Sequence, residues 1–340
     1  RHSVLCTQYQ DEDGVPITTR KDPSTWCLER QDLELMLPAG STFNEVGGNS
    51  FIKSAIEEHA EVLFNLATDW LFVAKLIRCN EDQHVLLINM HHIVSDGWSM
   101  GVLLNELKIL LNESKILLHE PNKEVNGPTI NSASHVQDVS LLPALEVDYE
   151  DYAYWQREWL QGENLERLKQ YWIDALAGAP AVLRLPTDYP RPEKPTFNGA
   201  HLNIDLGVDL TKALYAYCDE NGMTPFMVLM AAYQIFLARY THQDDICVGI
   251  PIANRNQYEI EGLIGFFVNG LIIRGKQNGN PTRQAFTETI RDVALGAFAH
   301  QDMPMDVLID ALQLSGGGGY SPGAQVAFAL QNMPDLEDLS

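Results

Sequence analysis

Apolar and polar positions change period several times along the chain, and each change marks an element. Residues 4–36 run as short alternating stretches broken by turn signals such as Asp13-Gly14, the pattern of strands joined by tight turns. From Phe51 to Phe64 the apolar residues recur at helical spacing. Strands are predicted at Trp70–Ile77 and His84–Asn89, and an amphipathic helix over Ser99–Leu111 with Ser99 as its cap. Residues 113–146 are polar without a period and predict an exposed loop. One long aromatic-rich helix is predicted from Tyr149 to about Leu176. The proline-rich stretch Leu185–Asn198 reads as an interlobe linker. Thr224-Pro225 predicts a helix start, and the helix runs apolar on most sides to Tyr240, so it is predicted to be buried. Asp245–Pro251 and Phe267–Arg274 predict strands, and Pro281–Ala299 a helix. Gly316–Gly319 predicts a loop and Gln325–Gln331 a last strand. Helices and strands alternate in both halves, which predicts an α/β fold of two lobes.

Composition narrows the function. A chain of 340 residues has room for two lobes, and 45% hydrophobic against 20% charged residues is globular. The net charge is −23, and acidic residues outnumber basic ones two to one in both halves. Such a surface has no phosphate-neutralising face, so no nucleic-acid partner is expected. Five scattered cysteines without a CxxC pair argue against a disulfide framework or zinc ribbon and for the reduced thiols of the cytoplasm. No run of 18 apolar residues exists, so no membrane span is expected. The chain opens at Arg1 in mid-pattern, without an initiator Met or a signal peptide, which leads us to expect a fragment.

The residues best suited to chemistry are Met90-His91-His92-Ile93-Val94-Ser95-Asp96-Gly97-Trp98-Ser99, where an apolar strand gives way to a helix. In extended geometry His91 and His92 point to opposite faces, so they do not share one task. Imidazole as a residue type suits general-base work near neutral pH. Asp96-Gly97 suits a tight bend. The plain alternative for such a pair is a hydrogen-bonded turn. A metal site is disfavoured, since adjacent histidines on a strand make poor co-ligands and HExxH is absent.

HHIVSDGWS resembles the HHxxxDG motif of the condensation domains of nonribosomal peptide synthetases, of the chloramphenicol acetyltransferase-like superfamily. RHSVLCT (Arg1–Thr7) resembles the family's RHExLRT, YEDYAYWQREW (Tyr149–Trp159) its YxDYAxWQ helix, and LPTDYPRP (Leu185–Pro192) its interlobe segment. GIPIANR (Gly249–Arg255) and IGFFVNGLIIR (Ile264–Arg274) resemble its strand-loop and IGxFVNT segments. AHQDMPMDVLI (Ala299–Ile309) resembles its HQDxPFExLV, and SPGAQVAFALQN (Ser321–Asn332) its last common strand. The order is the family's order, over nearly the whole chain. The departures are Cys6 for the second Arg of RHExLRT, Gly270 for Thr, Met305 for Phe, and Gly323-Ala324 for Leu-Phe. The four glycines at 316–319 replace a polar basic stretch.

The resemblance implies two chloramphenicol-acetyltransferase-like lobes in a V, each a mixed sheet flanked by helices. Residues 1–186 would be the lobe with the HHxxxDG motif and 187–340 the second, truncated lobe, the domain being incomplete at both ends. It implies an enzyme that forms a peptide bond: a carrier-bound aminoacyl amine attacks an upstream carrier-bound acyl or peptidyl thioester. His92, Asp96 and Gly97 would form the catalytic group, His92 handling the attacking ammonium, Asp96 shaping the loop, and Gly97 bringing its N–H near the reaction. His91, Arg255 and Asn269 would support them, Arg255 as the ion-pair partner of Asp96. Asn269 is read equally as a group that orients the tunnel and as a strand-end cap. No cofactor or metal is expected to bind directly, because the carriers bring their own 4'-phosphopantetheine arms. The expected partners are upstream and downstream peptidyl carrier proteins and a neighbouring adenylation domain. The alternatives are an inactive carrier-docking scaffold, an epimerising member of the family, and a stand-alone acyltransferase with a coenzyme A donor.

Overall fold

The computed structural model describes residues 1–33, 48–119, 142–192, 194, 196, 198–313 and 323–331. In chain order the elements are β1 (Thr7–Glu12), β2 (Val15–Arg20), β3 (Glu29–Asp32), α1 (Gly48–Ala60), β4 (Phe72–Arg78), β5 (His84–Met90), α2 (Gly97–His119), α3 (Tyr149–Trp159), α4 (Gly162–Leu176), α5 (Gly207–Asn221), α6 (Pro225–Thr241), β6 (Asp245–Ile252), α7 (Tyr258–Glu261), β7 (Asn269–Lys276), α8 (Arg283–Ala299) and α9 (Met305–Ala311). Two compact units result. One holds Arg1–Trp155 and Arg255–Phe267; the other holds Gln156–Asn254 and Val268–Asn332. The division falls inside α3, and the proline-rich stretch 185–198 lies within the second unit.

In the first unit β1 and β2 form an antiparallel hairpin. Asp13 and Gly14 turn it with φ of 55° and 82°, the twist-matched geometry that Asp-Gly adopts at little cost. β3, β4 and β5 make a mixed sheet, with β3–β4 parallel and β4–β5 antiparallel. Past Met90 the His91 N–H extends the ladder, donating to Leu71 O at 2.9 Å. Helix α2 runs on to His119, so the loop predicted over 113–146 begins later than its polarity suggested; residues 120–141 lie outside those described. Val4, Leu71, Val94, Leu103 and Ile264 form one core cluster, and Tyr152, Ile260, Leu263 and Phe267 another. Residues 255–267 therefore bury Ile260, Leu263, Ile264 and Phe267 in this unit. At about 1.5–3 kcal/mol for each fully buried side chain, that is enough to hold the segment in place.

In the second unit β6 and β7 pair antiparallel, and a single parallel bridge, Gly249 to Ala327, stands where a last strand was predicted. Leu271–Gly275 are five consecutive buried residues, as in a strand covered on both faces. Helices α6 and α8 pack against this sheet. Thr224 caps α6, its Oγ1 accepting the Met227 N–H at 3.3 Å. Burial of α6 holds for Met227, Met230, Ala231, Gln234, Leu237 and Thr241, but Phe236 and Tyr240 are exposed. The single helix predicted from Tyr149 to Leu176 is two, α3 and α4, with Gly162 at a left-handed φ of 53° at their junction. Helix α5 was not predicted, although Leu210, Ala213, Leu214, Tyr217 and Cys218 recur at helical spacing; Cys218 is buried and Leu214 and Tyr217 half-buried along that line, while Val208, Leu210 and Tyr215 are exposed. The glycine run 316–319 lies outside the described residues. Among the described residues no single helix is long and apolar enough to cross a membrane.

One close approach sets the spacing of α6 on β7. The buried Gln234 amide donates to Ile273 O at 3.0 Å. A Cβ on Gly275 would lie 1.8 Å from Gln234 Oε1 and 2.9 Å from Ile290 Cδ1. Gly275→Ala is therefore expected to lower the unfolding free energy by about 1–3 kcal/mol in urea titration, the usual cost of overpacking. A variant as stable as the parent would show that this packing gives way freely.

Candidate functional site

The HHIVSDG string begins one residue past β5. His91 is extended (φ −68°, ψ 139°) and its Nδ1 accepts the Ile93 N–H at 3.0 Å, capping a one-turn 3₁₀ helix over His92–Val94. A neutral His91 therefore carries its proton on Nε2. The His92 Nδ1 lies 2.7 Å from Ser95 O. A carbonyl can only accept, so Nδ1 is the donor, and a neutral His92 keeps its lone pair on Nε2. The two rings thus hold opposite tautomers, assigned from their partners. They separate because one caps the turn that the other begins, not because they alternate on a strand as the sequence suggested. The His92 side chain is exposed to solvent, with the Phe266 ring edge-on to it at 5.1 Å and 88°.

Asp96, not Ser99, caps α2. Its Oδ1 accepts the Ser99 N–H at 2.8 Å and lies 2.7 Å from the Ser99 hydroxyl, while its Oδ2 accepts the Phe267 N–H at 3.0 Å. The sequence favoured Ser99 because the apolar period starts after it. The carboxylate three residues earlier leaves Ser99 inside the first turn, where its hydroxyl accepts the Gly265 N–H at 3.1 Å.

Arg255 completes this knot. One guanidinium nitrogen donates to both Asp96 oxygens, at 3.0 and 3.3 Å, and another to the Ile260 and Leu263 carbonyls, each at 2.7 Å. Its Cζ lies over the Phe267 ring, 4.1 Å from the ring centre. The two side chains are 1% and 0% exposed, so the ion pair is fully withdrawn from water. Burial lowers the Arg255 pKa from its usual value while Asp96 opposes the shift.

Further hydrogen bonds hold the 255–267 segment, from the start of α2, from α3 and from the N-terminal residues. The Trp98 Nε1–H donates to Glu261 O at 2.9 Å, and the Tyr149 hydroxyl to Phe266 O at 2.8 Å. His2 Nδ1 accepts the Ile264 N–H at 3.3 Å, and its Nε2 lies 2.9 Å from Glu106 Oε2. Burial lowers the His2 pKa and raises that of Tyr149. Gly97 opens α2 in right-handed helical conformation, so the bend does not depend on a left-handed glycine; its exposed N–H has no partner within the helix. His2, Trp98, Ser99, Tyr149 and Phe266 were not singled out as site residues from sequence. All five lie in motifs that resemble the family's, but motif strings do not say which atoms meet.

Asn269 belongs to the second unit. Its Nδ2 donates to Gln301 O at 2.9 Å and Met303 O at 2.7 Å, and its Oδ1 accepts from the Gly270 and Met305 amides at 2.9 and 3.2 Å. The whole amide is committed to holding residues 301–305 on the end of β7, the cap-like of its two expected roles. Two of the departures from the family pattern meet here: a Cβ on Gly270 would lie 3.0 Å from Met305 Cε, so the long methionine occupies space beside the missing side chain.

A family model described as the condensation domain matches residues 1–123 and 133–340. A linear gramicidin synthase polypeptide of Brevibacillus parabrevis is 39% identical over 98% of the chain, which spans 6% of that synthase. Malpinin synthetase of Mortierella alpina is 40% identical over 98% of the chain, which spans 4% of it. The crystal structure of the X-domain from teicoplanin biosynthesis shares the fold, with a TM-score of 0.77 and 21% identity over 96% of this chain and 66% of that one. The chain belongs to the condensation-domain family of nonribosomal peptide synthetases, and its mixed α/β fold is the fold of that family.

Removing either member of a buried pair strands the other charge. Asp96→Ala is therefore expected to cost about 3–5 kcal/mol of stability in denaturant unfolding, and a loss under about 1 kcal/mol would contradict this reading of the pair. His2 gives a pH dependence. Its folded-state pKa lies below the ordinary value, so its contribution is present above about pH 6.5 and is lost as pH falls through the lowered value. His2→Gln, which keeps an acceptor for Ile264 and a donor for Glu106, is expected to flatten the loss of stability as pH falls below about 6.5. An unchanged slope in thermal unfolding would assign that limb to other groups.

Proposed function

We propose that this condensation domain forms a peptide bond between two carrier-bound substrates, with His92 as the group that receives the proton of the attacking amine. The observation that supports this best is the His92 tautomer: Ser95 O occupies Nδ1, and the Nε2 lone pair of an exposed ring is left available. The acceptor is an aminoacyl thioester on a downstream carrier, and the donor an acyl or peptidyl thioester on an upstream carrier. The acceptor amine attacks the donor carbonyl, the new C–N bond forms as the donor C–S bond breaks, and the product stays on the acceptor arm. The amine proton passes to His92 Nε2 and on to the departing thiolate. The thioester is already activated, so the bond formation draws on no other energy source. Holding two tethered substrates in reacting geometry can itself supply about 7–11 kcal/mol.

In this reading Asp96 and Arg255 act by holding the loop, His91 by capping its turn, and the Gly97 N–H by facing the reacting centre. The upstream and downstream carriers and an adenylation domain are the proposed partners. A surface with a net charge of −23 repels acidic partners at long range, so carrier docking relies on local contacts.

A single-turnover reaction with a loaded donor carrier and a loaded acceptor carrier, read by mass spectrometry of the acceptor arm, tests the proposal. Dipeptidyl product is expected from the parent, and His92→Ala is expected to slow its formation by about 10²–10⁴-fold. Undiminished product from His92→Ala would remove the histidine from the chemistry. Inversion at Cα without a new amide would mark an epimerising member, and bound carriers with no product from the folded parent would mark a docking module.

A further inference from the structure

Phe266 is a large apolar side chain that is 40% exposed, while its neighbour Phe267 is 2% exposed. This exposure is not slack in the backbone. The Gly265 N–H on one side donates to the Ser99 hydroxyl at 3.1 Å, and the Phe267 N–H on the other donates to Asp96 at 3.0 Å. The carbonyl of Phe266 itself accepts the Tyr149 hydroxyl at 2.8 Å. Gly265 cannot be replaced by a larger residue without displacing Tyr149, because a Cβ there would lie 2.3 Å from Tyr149 Cδ2. Three consecutive residues are thus pinned, and the side chain they present to the outside is set edge-on against His92, with ring centres 5.1 Å apart and planes at 88°.

His92 needs such a neighbour. The ring is tethered through Cγ and held at Nδ1 by the hydrogen bond to Ser95 O, while the edge that carries Nε2 is restrained only by what packs against the exposed ring. An edge-on aromatic contact adds a restraint there; such contacts are favourable and have a preferred geometry. We infer that Phe266 is a positioning residue that aims the His92 Nε2, held to that task by Tyr149. The Asp96–Arg255 knot fixes where the loop is, and Phe266 fixes which way the ring on it faces.

The inference rests on the proposed function for its activity readout only, because the orientation of His92 can be followed without turnover. The experiment compares the parent with Phe266→Ala and Phe266→Tyr, the latter retaining the ring. Side-chain NMR of the histidines would give the His92 ring shifts and the tautomer populations at neutral pH, and single-turnover condensation would be run at several concentrations of each loaded carrier. Phe266→Ala is expected to shift the His92 ring resonances, to reduce the share of the Nδ1–H tautomer, and to lower kcat by about 10- to 100-fold, the range that small misplacements cost. KM for both carriers is expected to stay within about twofold, since what is lost is aim rather than binding. Phe266→Tyr is expected to restore the parent values, and all three proteins to unfold at similar temperatures. Unchanged His92 shifts and tautomers in a folded Phe266→Ala would overturn the inference whatever the activity. Shifted resonances in a protein whose parent makes no amide would leave the inference standing and overturn the function instead. A fall in activity through KM alone would assign Phe266 to carrier or substrate binding and also overturn it.

Discussion

A buried ion pair is the constraint on which this site depends. Asp96 and Arg255 are far apart in sequence, and each has its charge almost wholly removed from water. The desolvation of two such groups offsets most of their attraction, so the pair adds little net stability compared with well-packed apolar residues of the same volume. What it adds is geometry. Asp96 receives the first-turn amide of α2, the Phe267 amide and the guanidinium, and Arg255 gathers two carbonyls of its own segment. Every one of these hydrogen bonds has a fixed direction, so together they favour one arrangement, although the buried Arg255 Nε has no hydrogen-bond partner. The segment 255–267 is bound to the HHIVSDG loop by that arrangement, with four buried apolar side chains beneath it.

Rigidity and reactivity are thereby separated along nine residues. Val94, Ser95, Asp96 and Ser99 are buried and committed to partners or core, whereas His92 and Gly97 are exposed, with a ring nitrogen and a helix-terminal N–H left over. In the proposed reaction His92 has to remain open to its substrate, so it cannot be held by burial. It is held by neighbours that are themselves buried or pinned: Ser95 through its carbonyl and Phe266 through its ring. The same division explains why substitution at Asp96 and at His92 should differ in kind, the first acting on folding and chemistry together and the second on chemistry.

Much of this was legible in the sequence, for reasons that can be named. Asp13-Gly14 and Thr224-Pro225 carry their conformations in their own covalent structure, so the hairpin turn and the α6 start could be read locally. The motif order pointed to the family, and with it to Asp96 and Arg255 as partners. Three features were not legible. Helix α5 has a helical period that exposed Val208 and Tyr215 obscure, since apolar residues off the buried line blur the stripe. The cap of α2 lay outside the apolar pattern, because a carboxylate that caps a helix and binds an arginine is indistinguishable in sequence from one that does either alone. The commitment of Asn269 to residues 301–305 depends on a loop brought to it by the chain fold, and no spacing in the string GFFVNG records that.

If the proposed reaction takes place here, the Asp96–Arg255 pair serves it by placing the loop, as one unit. A double-mutant cycle in the single-turnover rate, with Asp96→Ala, Arg255→Ala and the combination, each assayed under conditions where it is folded, tests this most directly. If the pair acts as a unit, each single substitution should lose nearly all the rate that the double loses, with a coupling energy of about 0.5–3 kcal/mol. Losses that simply multiply in the double variant would mean that the two residues contribute separately, and would contradict the claim.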